Sequence, residues 1–582
     1  MTKKGRKVLL VILISVIAIL VALIFSLNLI LGNVLETSID SQMALVSKES
    51  NKNISVDKVS VNIFSRTIIL KNISIAPDSS LIESLKNGKL NQASVMKIDI
   101  PILKFQGFSI FKLAVDRNFT LNKILVKGAE FTIFKGDFRK KIEEDKDATP
   151  PISIDSIYIK GLNGINLSKI VIDQYSYTTI NVKSNDTIFS FGGSDFEIKG
   201  IDLQSSQRGD GFFVFNNEKL SLKMRQQRID LRDANYFIYL KKLDFSFADS
   251  LIEISNLQVK PTRDKYKLGH SYKFTKEVFD VELKLISIYG NKIGKIIREG
   301  IIDIDSILID GLKLDLFKDR TRPFDLDKRP LFIQQQLKQL KQPLHISKIK
   351  VTNSDFIYAL RPEGSEKLLN VDISNFSGEI VFVTSLRDSI RSGKKLKINL
   401  KGKLMGESAL DLNVIMPYNS PVDTFYFAGT LGPADFTKFN PALYPATGIK
   451  FESGKLKSLK FYAHASPKSS KGLMTMLYEG LEAEIPQKDV HKKNKFLSFS
   501  ANAVLRAANP NKKGNTRVAQ IKFERVKYKG FGNLLWKSVQ TGLVNTILPT
   551  GKAYKDESIV DEQEKKASSK EEKKKRRKRK KK

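Results

Sequence analysis

Catalysis needs particular side chains at particular spacings, and this sequence supplies few of them. Its four histidines, His270, His345, His464 and His491, stand far apart, and none has a second ligand at metal-binding spacing. There is no cysteine, which removes thiolate catalysis, zinc–thiolate sites and iron–sulfur clusters. Phosphate loops, dinucleotide fingerprints and G-x-S-x-G elbows are missing too. DIDSILIDG sets carboxylates at Asp303, Asp305 and Asp310, which invites comparison with a calcium loop. The interleaved Ile and Leu mark it instead as a strand, and the required glycine and terminal Glu are out of place. The expectation is a chain without catalysis, metal or cofactor.

What does recur at fixed spacing is apolar. KLDFSFAD sets Leu243, Phe245 and Phe247 on one face of an extended segment, with Asp244 and Ser246 on the other. KLKINLKGKL does the same with Leu396, Ile398 and Leu400 against a lysine-rich opposite face. ALDLNVIM adds Leu410, Leu412 and Val414, and TFYFAGTL adds Phe425 and Phe427. Alternation of this kind is the mark of a half-buried strand, and Gly, Asn and Asp between the runs signal antiparallel hairpins. From Ile54 onward the pattern rarely leaves period two, so the chain reads as mainly β.

A motif recurs within it. Leu121, Ile124, Val126, Gly128, Phe131 and Ile133 define the offsets 0, 3, 5, 7, 10 and 12. The set Ile304, Ile307, Ile309, Gly311, Leu314, Leu316 and the set Ile346, Ile349, Val351, Asn353, Phe356, Tyr358 match it, and a partial copy starts at Ile154. The Gly or Asn in the middle tolerates a positive φ, so each unit reads as strand, tight turn, strand. Helices are scarce. Leu331–Gln342 has near-helical spacing, and Phe531–Leu548 repeats Leu535, Val539, Leu543 and Ile547 before Pro549. That second stripe is expected to pack on its own domain rather than enter a membrane.

The strands are preceded by VLLVILISVIAILVALIFSLNLIL, uncharged from Val8 to Leu31. At ~1.5 Å per residue such a helix crosses a bilayer core of roughly 30 Å with some tilt. Lys3, Lys4, Arg6 and Lys7 hold its N-terminus in the cytoplasm. A cleaved signal peptide is the rival reading, but the run is long for one and no A-x-A site follows it. The expected organisation is a cytoplasmic terminus (1–7), a single transmembrane anchor (8–32), two β-rich exported regions (33–320 and 321–552) and a disordered polybasic tail (553–582). Weak breaks fall near Glu143–Pro151 and Arg320–Pro330.

Net charge is +36 over 582 residues, which favours anionic partners or serves to keep lysine-lined strands from pairing edge to edge. The tail, with Lys573, Lys574, Lys575, Arg576, Arg577, Lys578 and Arg579, would lie across the membrane from nucleic acid. It is expected to contact acidic head groups or cell-wall polymers, with a purely solubilising role as the alternative.

A mostly β region of this length cannot leave its apolar face bare, since exposed strips of that size aggregate. The face must pair with a second sheet, close into barrels, or curl around an apolar ligand. Composition and periodicity leave tandem sandwiches and a long groove open.

Three stretches resemble the AsmA-like family of envelope proteins: Val59–Ser80, which follows the anchor; Gln342–Gly364, which carries the recurrent unit; and Pro433–Phe461, PADFTKFNPALYPATGIKFESGKLKSLKF. The order of the motifs extends the resemblance from the anchor to about Gly551. It implies a long curled antiparallel sheet, a β-groove, anchored in the inner membrane of a Gram-negative-type bacterium with its bulk in the periplasm. The groove would shield phospholipid acyl chains between membranes or serve outer-membrane homeostasis, with an outer-membrane or envelope protein as partner. The decalysine-like tail departs from the family pattern. Under this implication Leu243, Phe245, Phe247, Leu396, Ile398, Leu400, Leu410, Leu412, Val414, Phe425 and Phe427 line the groove. The alternative is a non-enzymatic scaffold or adaptor of tandem sandwiches.

Overall fold

The computed structural model describes residues 52–62, 65–89, 94–136, 163–205, 213–216, 219–290, 299–484, 505–549 and 551–554, with Lys292 and Lys295. The apolar run Val8–Leu31, the connector after it, the partial repeat at Ile154 and the basic tail lie outside these residues. Among the described residues no helix is long and apolar enough to cross a membrane. The chain divides into two compact units, Met1–Ser255 and Asn256–Lys582, both mainly β with few helices.

The first unit contains β1 (Lys52–Asn62), β2 (Thr67–Pro77), β3 (Ser94–Gln106), β4 (Asn118–Leu121), β5 (Lys123–Lys135), β6 (Gly164–Asn181), β7 (Thr187–Ser205), β8 (Phe213–Asn216), β9 (Ser221–Leu231) and β10 (Tyr236–Ser246). The ladders run β1–β2–β3–β5–β6–β7–β9–β10, with β8 added to β7. All are antiparallel except those joining β4 and β5 to β6. Helix α1 (Ser79–Lys86) starts at Asp78, whose carboxylate accepts from Ser80 N. Helix α2 (Ile110–Asp116) is capped by Ser109 and ends at Arg117 in the left-handed region. Its Leu113 packs on a core built from Ile68, Leu103, Phe105, Phe108, Phe119 and Leu121.

A further strand, β11 (Leu251–Pro261), carries the division between the units. The second unit holds β12 (Glu277–Tyr289), β13 (Ile302–Asp319), β14 (Leu344–Arg361), β15 (Leu369–Thr384), β16 (Lys395–Leu404), β17 (Ser408–Pro417), β18 (Phe425–Leu431), β19 (Ala434–Asp435), β20 (Lys450–Ala465), β21 (Ser469–Glu484), β22 (Val518–Glu524) and β23 (Ala553–Tyr554). From β12 to β18 each strand pairs with the next, β18 and β19 both pair with β20, and β20 to β23 continue in order. Among the described residues of this unit only β13–β14 is parallel. A parallel pair needs a long crossover, and here it contains α4 (Ile333–Gln339), which follows α3 (Lys265–Ser271). The described residues also include α5 (Arg387–Arg391), α6 (Asn440–Thr447) and α7 (Phe531–Ile547). The sheet pairing is therefore mixed, where the hairpin signals alone pointed to antiparallel neighbours throughout.

The recurrent motif is not a hairpin. Gly128 (φ 67°), Gly311 (φ 69°) and Asn353 (φ 49°) do lie in the left-handed region, but each sits inside one continuous strand. The spacing explains why. Between offsets 5 and 10 the apolar pattern slips by one residue, which would turn half of the strand's apolar side chains outward. One left-handed residue bulging out of the ladder restores the facing, and because neighbouring strands bulge at the same level the register is kept across it. In β2 the effect is visible around Asn72 (φ 49°): Ile68 and Leu70 before it and Ile73 and Ile75 after it pack in one cluster, which simple alternation forbids.

The bulges also line up across strands. Asn72 donates to Asp57 on β1 at 2.8 Å, and the β2–β3 ladder skips the Asn72–Pro101 position. A Cβ on Gly128 would lie 3.2 Å from the Pro101 ring. Proline lacks an N–H and is tolerated inside a sheet where a bulge requires no ladder bond. Gln174 (φ 58°) on β6, Asp195 (φ 52°) on β7 and Gln226 (φ 49°) on β9 extend the line. The second unit has a line of its own, through Gly311, Asn353 and Asn375 (φ 49°).

Candidate functional site

Followed through the ladder registers, one face of the first unit is apolar in row after row. Val61 lies opposite Ile68, Ile68 opposite Phe105, Phe105 opposite Ile124, and the row continues through Ile170, Ile198 and Leu222 to Phe245. On the other side of the bulge line a second row runs from Ile54 through Ile75, Ile98, Phe131, Tyr177 and Phe191 to Ile229 and Ile238. Both rows are buried or half-buried near α2 and half-buried throughout β6 to β10. Tyr175 stands edge-on to Phe191 (5.6 Å) and Phe196 (6.1 Å), and Tyr177 to Phe189 (5.9 Å). Such aromatic pairs add about 0.5–1.5 kcal/mol beyond area burial.

The opposite face is wet. Lys169 and Lys199 both pair with Glu197, at 2.5 and 2.9 Å, and Arg225 and Lys242 with Asp244, each at 2.6 Å. Partial burial works to raise the Asp244 pKa, but Lys242 and Arg225 outweigh it and hold the carboxyl below its usual range. Pairs this exposed add only ~0–1 kcal/mol each, so they fix which side meets water more than they stabilise the fold.

One polar side chain crosses the apolar face. Gln227 is 1% exposed and fills the space that Gly193 leaves, where a Cβ would lie 2.3 Å from its amide nitrogen. Its Nε2 donates to Ser194 O (3.2 Å) and to Arg225 O, and its Oε1 accepts from the Tyr175 hydroxyl. Bulges leave backbone carbonyls without ladder partners, and this amide satisfies two of them. Burial pushes the Tyr175 hydroxyl up to about 12, so it stays a neutral donor. Ser354, also 1% exposed, plays the same part on β14: it accepts from Leu312 N (3.1 Å) and donates to Thr352 O (2.7 Å).

The residues singled out by alternation fall into two settings. Leu243 and Phe245 are half-buried opposite Met224 and Leu222, in the apolar rows, and Phe247 is half-buried just beyond β10. Leu396, Ile398, Val414, Phe425 and Phe427 lie instead in a closed core. Leu400 and Leu412, partners in register, pack at its margin, and Leu410 is half-buried opposite Leu431.

The cover comes from α4 and α7. Phe332, fully buried just before α4, meets Phe425 edge-on at 5.3 Å, and Phe531 lies 5.2 Å from Phe425. Asp423 holds α4 in place through Lys338 (2.7 Å) and Gln335 (2.9 Å). Along α7, Leu534 and Val539 are buried, Ser538 meets Ser470 on β21 at 2.6 Å, and Asn545 donates to Gln520 O on β22 at 2.8 Å. The α7 stripe thus packs on its own unit. Part of this cover is Phe332, which precedes its short helix.

The half-open rows of β6 to β9 escaped notice although β6 carries the signal. Leu167, Ile170, Ile172, Gln174, Tyr177 and Thr179 keep the motif spacing, and β6 runs in parallel register with the copy on β4 and β5: Leu121 opposite Leu167, Ile124 opposite Ile170, Phe131 opposite Tyr177. A glutamine at the bulge hid the match.

Carboxylates within the described residues serve the sheet. Asp303 is held by Lys295 (2.8 Å) and Lys292 (3.4 Å), and Asp310 accepts from Thr352 and Asn353. Asp319, fully buried, takes Arg361 and His270, each at 3.2 Å, together with Thr321. The His464 ring lies tilted against Tyr426, with centroids 5.2 Å apart. Among the described residues no group of His, Asp and Glu is arranged to hold a metal ion. No family model matches this chain, and no curated protein matches it.

Proposed function

We propose that this chain is a non-enzymatic, single-pass, inner-membrane-anchored envelope protein whose apolar sheet face shields lipid acyl chains. Phospholipid transport between membranes or outer-membrane homeostasis is the process it would serve, as the likeness to AsmA-like proteins implies. The observation that carries this reading is the row Phe131–Tyr177–Phe191–Ile229–Ile238, half-buried across successive strands with an ion-paired face behind it. Each methylene moved from water onto such a surface gains ~0.8 kcal/mol, so a continuous row holds a tail without specific contacts. The curl of such a groove belongs to this proposal; a bulge is the kind of feature at which a strand bends.

Native mass spectrometry of the purified chain is expected to detect bound phospholipid. Ile229→Glu should remove it while the circular dichroism spectrum and melting temperature stay close to wild type. A wild-type protein that is soluble and free of lipid would defeat the reading. The closed core around Phe425 and Phe427 favours a second one, a structural adaptor of the envelope whose apolar face is all core. In that case Ile229→Glu would unfold the protein rather than empty it.

A further inference from the structure

We propose that the corner formed by Arg320, Phe324 and Lys529 binds a phosphate-type oxyanion, carried by a lipid head group or free in solution. The Arg320 guanidinium carbon lies 5.1 Å from the Phe324 ring centre and the Lys529 ammonium 4.4 Å from it, so two cations share one aromatic ring. Tyr528 packs on the same ring at 5.4 Å. Among the described residues no carboxylate pairs with Arg320 or Lys529, and the Nε atoms of Arg320 and Arg322 are buried without a hydrogen-bond partner. Glu277 is already paired with Lys318, and Asp319, next to Arg320 in sequence, with Arg361. Burial together with Arg320, Lys537 and Lys318 pushes the Lys529 ammonium down to about 8.

Lys529 directly precedes Gly530, where α7 begins with no side-chain cap and no acid in its first turn, so the positive helix end adds to the same imbalance. Cation–π contacts with Phe324 and Tyr528 offset part of the repulsion, but they donate no hydrogen bond. A phosphate offers several acceptor oxygens and one to two negative charges, which suits a forked guanidinium and a point-like ammonium crowded on one ring. This assignment does not depend on what covers the apolar rows.

The test is calorimetric titration of the full-length chain at pH 7 and constant ionic strength, with two separate probes. Inorganic phosphate tests the free anion, and monomeric dihexanoyl phosphatidylglycerol tests the head group. Lys529→Met and Arg320→Met are expected to weaken binding of at least one probe by roughly tenfold or more, while Lys529→Arg retains it. Lys401→Met, an exposed lysine set 3.7 Å from Asp411, is expected to change nothing. Loss with both probes assigns a general phosphate site; loss with the lipid probe alone assigns a head-group site. Binding of both probes unchanged in Lys529→Met, or no binding by the wild type, overturns the proposal. Lys529→Met is also expected to raise the phosphate-free melting temperature, which separates a folded variant that has lost its ligand from a misfolded one.

Discussion

Ile309 on β13 and Val351 on β14 face each other across the parallel ladder, and they are also the same position of two copies of the recurrent motif. Each copy thus lies against its neighbour in register, which brings Gly311 beside Asn353 and makes the bulges coincide. Left-handed backbone is costly for side chains with a Cβ, by about 1–2 kcal/mol. Gln174 carries that cost at φ 58°, whereas Gly128 at φ 67° does not. Gln174→Gly is therefore expected to stabilise the fold by ~0.5–1 kcal/mol, and Gly128→Val to destabilise it by more than 1 kcal/mol. Urea unfolding midpoints would check both signs.

The pairing of Tyr175 with Gln227 yields a second expectation. Gln227→Leu leaves the carbonyls of Ser194 and Arg225 buried without this donor, which costs roughly 1–3 kcal/mol. Tyr175→Phe strands the Gln227 carbonyl in the same way. Because both changes break one network, the double variant should lose less than the sum of the single losses. Strictly additive losses in a thermodynamic cycle would mean that the two side chains act independently.

Much of this was legible in the sequence, for a simple reason. Strand character and the apolar side of each strand follow from alternation, so KLKINLKGKL and ALDLNVIM read correctly as neighbouring half-apolar strands, with Leu400 opposite Leu412. The motif gave the bulge positions but not their nature, since a positive φ serves a tight turn and a bulge equally well. The missed copy on β6 shows the limit. Gln174 adopts the required φ under tertiary pressure, and no propensity announces that. Nor does alternation say which part of the apolar face a helix will cover, because Phe332 reaches the core from a loop and Asp423, distant in sequence, docks its helix.

The two settings of the apolar residues should respond differently to substitution. Phe427 is fully buried in the core under α4 and α7. Phe427→Ala is expected to cost about 3–5 kcal/mol in unfolding free energy, in line with large aromatic truncations. Ile238, half-buried in the open row, should cost less than half of that on truncation to Ala. Equal losses at the two positions would mean that the open row is packed as tightly as the core, and would favour the adaptor reading.

Lys529 gives the pH dependence. Burial first, then Arg320, Lys537 and Lys318, lowers its pKa from 10.5 to about 8. Between about pH 8 and 10.5 the unfolded chain therefore holds a proton on this residue that the folded chain has released. Stability rises with pH wherever the unfolded state binds more protons. Below pH 8 the folded protein bears the full penalty of a charged Lys529, and the penalty fades as pH climbs toward 10.5. Lys529→Met removes the group, so its gain in melting temperature over wild type should be largest at pH 7 and shrink by pH 9.5, in phosphate-free buffer. A gain that stays constant from pH 7 to 9.5 would show that Lys529 keeps an ordinary pKa, and that the cations around it are better compensated than their contacts imply.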